Sequence, residues 1–172
     1  FGRAGVVPPP GAFLQATAEG EAVLVAAVAE AVGTAGPVAD LFAGCGTFAL
    51  PLAARAELHA VEGDAAMAAA LEAGWRGAPG LKRVTVETRD LFRRPLEAGE
   101  LSRFAAVVID PPRAGAAAQA ARIADSAVSC NPATFARDAR TLVEGGFRLD
   151  WVQVVDQFRW SGHVELAALF SR

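Results

Sequence analysis

Pro37-Val-Ala-Asp40-Leu-Phe42-Ala-Gly44-Cys45-Gly46-Thr47-Phe48 is the stretch on which the architecture turns. Val38 to Phe42 is apolar apart from one acid, Asp40, and it empties into two glycines one residue apart. Such a run reads as a strand buried on both faces, followed by a turn whose backbone closely approaches whatever it faces. Two glycines alone are also compatible with an ordinary strand–helix turn. More specific is Leu58 to Glu62, a second apolar strand ending in a carboxylate. At the carboxyl end of a parallel sheet, Glu62 is placed to accept hydrogen bonds from two ribose hydroxyls. The third glycine of a dinucleotide fingerprint is missing, with Ala49 in its place. Asp40, just before the loop, suits a cationic ligand better than a phosphate. A nucleoside cofactor is expected, and a dinucleotide is not.

Outward from this point, helices and strands alternate. Leu24, Ala27, Val28 and Ala31 recur at helical spacing within a helix from Ala18 to Val32, which Gly33 to Pro37 ends. Further helices are expected over Thr47–Arg55, Ala65–Ala73, 115–124 and Ala133–Val143. Strands are expected over Arg83–Thr88, Ala105–Asp110 and Ala127–Ser129. Leu149–Asp156 and His163–Phe170 close the chain as strands joined by a short link, so they should be antiparallel. The pattern predicts an α/β, doubly wound, mostly parallel seven-stranded sheet with an antiparallel last strand. That is the Rossmann-like arrangement of class I methyltransferases.

Length and charge bound the rest. At 172 residues the chain makes one domain, 1–172, with a net charge of −3. A stand-alone RNA binder carries a basic excess to neutralise phosphates, and this chain has none. No apolar run is long enough to span a bilayer, and residues 1–12 lack the features of a secretory signal. A soluble, cytoplasmic monomer is expected. Cys45 and Cys130 have no metal-ligand spacing, so reduced thiols and no bound metal are expected. The start at Phe1-Gly-Arg, without Met, reads as the interior of a longer protein.

Three more stretches bring chemistry to the sheet end. Asp110-Pro-Pro-Arg113 ends the fourth strand, its prolines stiffening the loop that carries the carboxylate. Ser129-Cys130-Asn131-Pro132 puts a thiol before a helix, where the N-terminus favours thiolate. His163-Val-Glu165 places a His and a Glu on one face of the last strand. Asp90, ending the third strand, either reaches an adenine amino group or caps the segment after it. Each stretch has an ordinary alternative: a plain turn, a core cysteine, a solvated edge charge. Together, beside a cofactor loop, they point to a reaction site.

Ser129-Cys-Asn-Pro-Ala-Thr-Phe-Ala-Arg-Asp138 resembles a signature of the RNA 5-methyluridine methyltransferases, which act on tRNA or large-subunit rRNA. Phe13-Leu-Gln15, the glycine loop, Asp110-Pro-Pro-Arg-Ala-Gly115 and His163-Val-Glu165 extend the likeness over Phe13 to about Phe170. The resemblance implies that S-adenosylmethionine is the cofactor and an RNA uridine the substrate. It implies Cys130 as nucleophile and Glu165 as base, with Asp110 beside them. Gln15, Phe42, Gly44, Gly46, Thr47, Glu62, Asp90 and Asp110 would line the cofactor. Phe13, Gln15 and Arg113 would face the target base and its RNA. The family also implies an N-terminal oligonucleotide-binding domain, which these residues cannot build. Thr17 and Thr47 depart from the family's usual Asn, and the segment between Arg113 and Ser129 is shorter than usual.

The chemistry asks for these groups independently. Uracil C5 is a poor nucleophile until a thiolate adds at C6, and the C5 proton must then leave to a base. The target base must be flipped out of any stack. An RNA 5-methylcytosine methyltransferase would carry Cys where Arg113 stands, and an amino-group methyltransferase an aromatic. A non-catalytic nucleoside-binding module would have no reason to keep both Cys130 and Glu165.

Overall fold

The computed structural model describes residues 1–33, 36–123, 128–129, 132–157 and 164–171. Strands β1 (Val38–Leu41), β2 (Leu58–Glu62), β3 (Val84–Thr88) and β4 (Ala106–Ile109) form a parallel sheet in the order β3-β2-β1-β4. Val38 pairs with Leu58 on one side and Ala106 on the other, so β1 is central. All four of its residues are buried, as a strand covered on both faces must be.

Alternate strand residues divide between two cores. Val38, Leu58, Ala60, Val84 and Val108 pack with Leu24 and Val28 of α1 (Ala18–Val32), Leu50 and Leu52 of α2 (Ala49–Leu52) and Leu71 of α3 (Ala65–Arg76). Ala39, Leu41, Val61, Val107 and Ile109 face the other way. They meet Leu101 of α4 (Ala98–Leu101), Ile123 of α5 (Ala117–Ile123) and Leu142 of α6 (Pro132–Glu144).

Strands β5 (Val128–Ser129), β6 (Arg148–Val155) and β7 (Glu165–Ser171) form a second hydrogen-bonded group, β5-β7-β6, in which β7 runs antiparallel to both neighbours. The doubly wound α/β arrangement and the antiparallel last strand are therefore as expected. The seven strands form two ladders among the described residues, with β4 and β5 adjacent.

Local differences have local causes. Of the helix expected over Thr47–Arg55, one α turn forms at Ala49–Leu52; beyond it Ala54 and Arg55 bond three residues back and Lys82 N–H takes the Ala53 carbonyl at 2.7 Å. α3 continues past Ala73 through a buried Gly74, where a Cβ would lie 2.6 Å from Val6 Cγ2. That glycine reads as a helix end but is a packing site for the leading segment. α4, opened by a Glu97–Glu100 capping box, has too few residues to show a helical period. Thr17, one of the departures from the family pattern, is the N-cap of α1; its Oγ1 accepts from Gly20 N–H at 3.0 Å.

Candidate active site

Because the four parallel strands share a direction, the residues after Leu41, at Glu62, after Thr88 and after Ile109 meet at one end of the sheet. Phe42 leaves β1 with φ 61°, a left-handed conformation costly for a side chain of this size, and its ring leans on Phe92 at 5.4 Å. The two glycines of the loop do different work. At Gly46 (φ 97°) a Cβ would strike Leu50 and Leu71 at 2.8 to 2.9 Å, so this glycine serves packing. At Gly44 (φ 56°) a Cβ would meet nothing within 4 Å, so its outer face is open to a ligand.

Glu62 is buried and engaged. Oε2 accepts from Gly44 N–H and Oε1 from Asp64 N–H, both at 2.8 Å. It therefore ties the glycine loop to the end of β2. A carboxylate has about four acceptor sites, and two of them remain for ribose hydroxyls.

Asp40 is the opposite case. It is fully buried, and neither carboxylate oxygen has a hydrogen-bond partner among the described residues. Burial, reinforced by the Asp110 carboxylate, partly offset by the nearby Ala49 N–H and raised again by Glu62, pushes its pKa up to about 8. Asp110 is pushed up to about 7, by burial and then by Glu165. Glu165, half-buried at the start of β7, thus shares a field with a residue that follows β4. A buried acid without a partner is costly, and Asp40, with the half-buried Asp110 beside it, is poised to ionise against a cation. That donor set fits a sulfonium or ammonium group and would repel a pyrophosphate. Among the described residues no three His, Cys, Asp or Glu are grouped closely enough to hold a metal ion.

The remaining candidates are placed as follows. Asp90 Oδ1 accepts from Phe92 N–H at 2.9 Å and Arg93 N–H at 3.2 Å, so it caps a turn through that oxygen. Thr47 is half-buried in the loop, Phe13 is 68% exposed and Arg113 is exposed. Gln15 is half-buried, and its Oε1 accepts from Gln157 Nε2 at 3.0 Å. Cys130 and His163 lie outside the described residues. Cys45 is a core residue, 1% exposed. Burial pushes its thiol pKa up, and the Glu62 and Asp64 carboxylates push it further, which disfavours the thiolate.

Sequence reasoning missed three buried polar groups that hold the site together. Asp138, inside the quoted signature, accepts from Ala116 N–H at 2.9 Å and so anchors the loop after Asp110 to α6. Gln119 clamps Leu96 through both its amide N–H and its amide oxygen. Gln157 reaches the leading segment. A groove at the amino end of the strands, lined by His59, Thr85, Arg103 and Phe104, lies away from these carboxylates. His59 there is engaged by Thr85 at 2.9 Å and Glu87 at 3.2 Å.

A central parallel sheet, a glycine loop after β1, an acid ending β2 and an antiparallel last strand define a class I methyltransferase fold. The tRNA (uracil-5-)-methyltransferase family model matches residues 79–172, more than half of the chain. The chain belongs to that family. It is 57% identical to an uncharacterised RNA methyltransferase of Mesorhizobium japonicum, over 100% of this chain and 43% of that protein. It is 39% identical to the 23S rRNA (uracil(1939)-C(5))-methyltransferase RlmD of Chromohalobacter salexigens, over 95% of this chain and 35% of that one. A crystal structure of the Pyrococcus abyssi tRNA (uracil-54, C5)-methyltransferase with S-adenosyl-L-homocysteine superposes with a TM-score of 0.77. It shares 27% identity over 94% of this chain and 40% of that one. The chain thus spans less than half the length of these relatives. Among the described residues no helix is long and apolar enough to cross a membrane.

Proposed function

We propose that this chain is the catalytic domain of an enzyme that methylates C5 of a uridine in RNA, using S-adenosylmethionine. The observation that supports the reading is the electrostatic coupling of Asp40, Asp110 and Glu165 at the strand ends, the buried Asp40 and the half-buried Asp110 both with raised pKa values, next to a glycine loop whose Gly44 has open space where a side chain would be. Relatives named for uracil-C5 methylation of 23S rRNA and of tRNA support an RNA uridine as substrate, and one of them was solved with S-adenosylhomocysteine.

Gln15, Phe42, Gly44, Gly46, Thr47, Glu62, Asp90 and Asp110 would hold the cofactor, Glu62 through the acceptor sites its backbone partners leave open. When bound, S-adenosylmethionine supplies a methyl group on a positively charged sulfur. Cys130 adds its thiolate to uracil C6, which gives C5 enolate character and makes it a nucleophile. Glu165 then accepts the C5 proton, and the C6–sulfur bond breaks to restore the ring and the thiol. Phe13 and Arg113 would border the flipped base and its strand.

RNA containing 5-fluorouridine tests the covalent route, because that analogue has no C5 proton to lose. Incubated with the whole protein and S-adenosylmethionine, it should accumulate a protein–RNA complex that survives denaturing electrophoresis. Normal methylation of uridine RNA with no such complex would exclude the cysteine adduct.

A further inference from the structure

We propose that Gln157 is a positioning residue that fixes which end of the Gln15 amide faces the site. Gln157 is 8% exposed, two residues past the end of β6, and its side chain runs beneath the start of α1. Its Oε1 accepts from Thr17 N–H at 3.4 Å and its Nε2 donates to Gln15 Oε1 at 3.0 Å. The polarity of this relay is not arbitrary. A backbone N–H only donates, so the oxygen of Gln157 must face Thr17 and its NH2 must face Gln15. Gln15 then turns its own oxygen inward. Its NH2, which has no partner among the described residues, is left to point outward as a donor.

The space for this relay is kept by Gly20. A Cβ there would lie 2.3 to 2.5 Å from Cδ, Cγ and Oε1 of Gln157. Gly20 is the third residue of α1 and has an ordinary backbone conformation that any residue can adopt, so the glycine marks a requirement for room. Gln157 therefore joins β6 to the segment carrying Phe13 and Gln15 and makes Gln15 select an acceptor oxygen on its ligand. A cofactor carboxylate and a pyrimidine carbonyl both offer that oxygen.

This rests on the reading of Gln15 as a site contact, and the test separates the two. In the whole protein, Gln157→Glu keeps the bond to Thr17 N–H but cannot donate to Gln15, so the Gln15 amide must flip and present its oxygen. Two arms are read: S-adenosylhomocysteine affinity by calorimetry, and the rate of covalent trapping on 5-fluorouridine RNA at saturating cofactor. Gln15→Ala and Gln157→Glu should each weaken the same arm about tenfold or more. The double variant should be no worse than Gln15→Ala, and melting temperature should not follow the loss. A fall in the first arm identifies the cofactor as the source of the oxygen, and a fall in the second alone identifies the base. Gly20→Ala, which evicts Gln157 without altering Gln15, should reproduce the defect even if Gln157→Glu folds poorly. If Gln15→Ala is impaired while Gln157→Glu and Gly20→Ala behave as wild type, the positioning role is wrong. If Gln15→Ala is unimpaired in both arms, the site reading of Gln15 fails first and the relay falls with it.

Discussion

At the ends of β1 and β2 the site is assembled from residues close together in sequence. Phe42, Gly44 and Gly46 follow β1 directly, and Glu62, ending the next strand, is bonded to the loop itself. At the ends of β4 and β7 the site is assembled from distant segments. Asp110 meets the field of Glu165, Asp138 holds the loop at Ala116, and Gln157 reaches back to Gln15. Within the local region the two acids differ: Glu62 accepts from two backbone N–H groups, whereas neither Asp40 oxygen has a hydrogen-bond partner among the described residues. The local region therefore holds both a finished loop tie and an unsatisfied acid. The distant one is held by side chains that bond segments 22 and 142 residues apart.

The largest expected effect falls on the distant side. Cys130→Ala should abolish methylation and the covalent RNA adduct together. Glu165→Gln should leave addition intact but block proton loss, so a methylated covalent complex should build up on ordinary uridine RNA. Denaturing electrophoresis distinguishes the two, and normal turnover by the Glu165 variant would end its assignment as base.

Next comes the cost of Asp40. Its folded pKa lies above the ordinary 3.8, at about 8, so the folded state binds the extra proton and loses stability as pH rises across that interval. Asp40→Asn should remove that loss and raise stability near pH 8.5 by several kcal/mol, an order-of-magnitude figure. The gain should vanish near pH 4. The difference between variant and wild type across pH isolates Asp40 from His59, whose pKa is lowered by burial and then by Arg103 and which acts in the opposite sense. A thermal-melting difference that does not change with pH would mean the carboxyl is not protonated in the fold.

Glu62→Ala should have a smaller effect, on two readouts at once. It strands the Gly44 and Asp64 N–H groups and removes the ribose acceptor, so S-adenosylhomocysteine affinity should fall by roughly 1.5–3 kcal/mol with some loss of stability. A stability loss with full affinity would make Glu62 purely a loop tie. The smallest effect is that of Asp90→Ala, where loss of an exposed cap costs about 1 kcal/mol. An affinity loss beyond that in calorimetry is expected if Asp90 also reaches the adenine, and unchanged affinity would leave it a cap alone.

What the sequence by itself determined is whatever has a short period or a short span. Apolar runs and glycine punctuation placed every strand, the helix Ala18–Val32 to the residue, and the glycine loop with Glu62 beside it. These depend on neighbours only a few positions away, whose chemistry a linear reading contains. Where a glycine served packing, as Gly74 and Gly20 do, the same reading gave the wrong meaning or none, because the atoms that need the space belong to Val6 and Gln157. Only the tertiary structure decided which acids are satisfied. Asp40 and Glu62 look alike in sequence, each an acid in an apolar strand beside a glycine loop. Two N–H groups bond Glu62, whereas the Ala49 N–H approaches Asp40 without closing a hydrogen bond, and that depends on how the loop folds back over the strand ends. Desolvation and partner count are properties of the packed chain, and they separate an acid that holds the fold from one that awaits a charge.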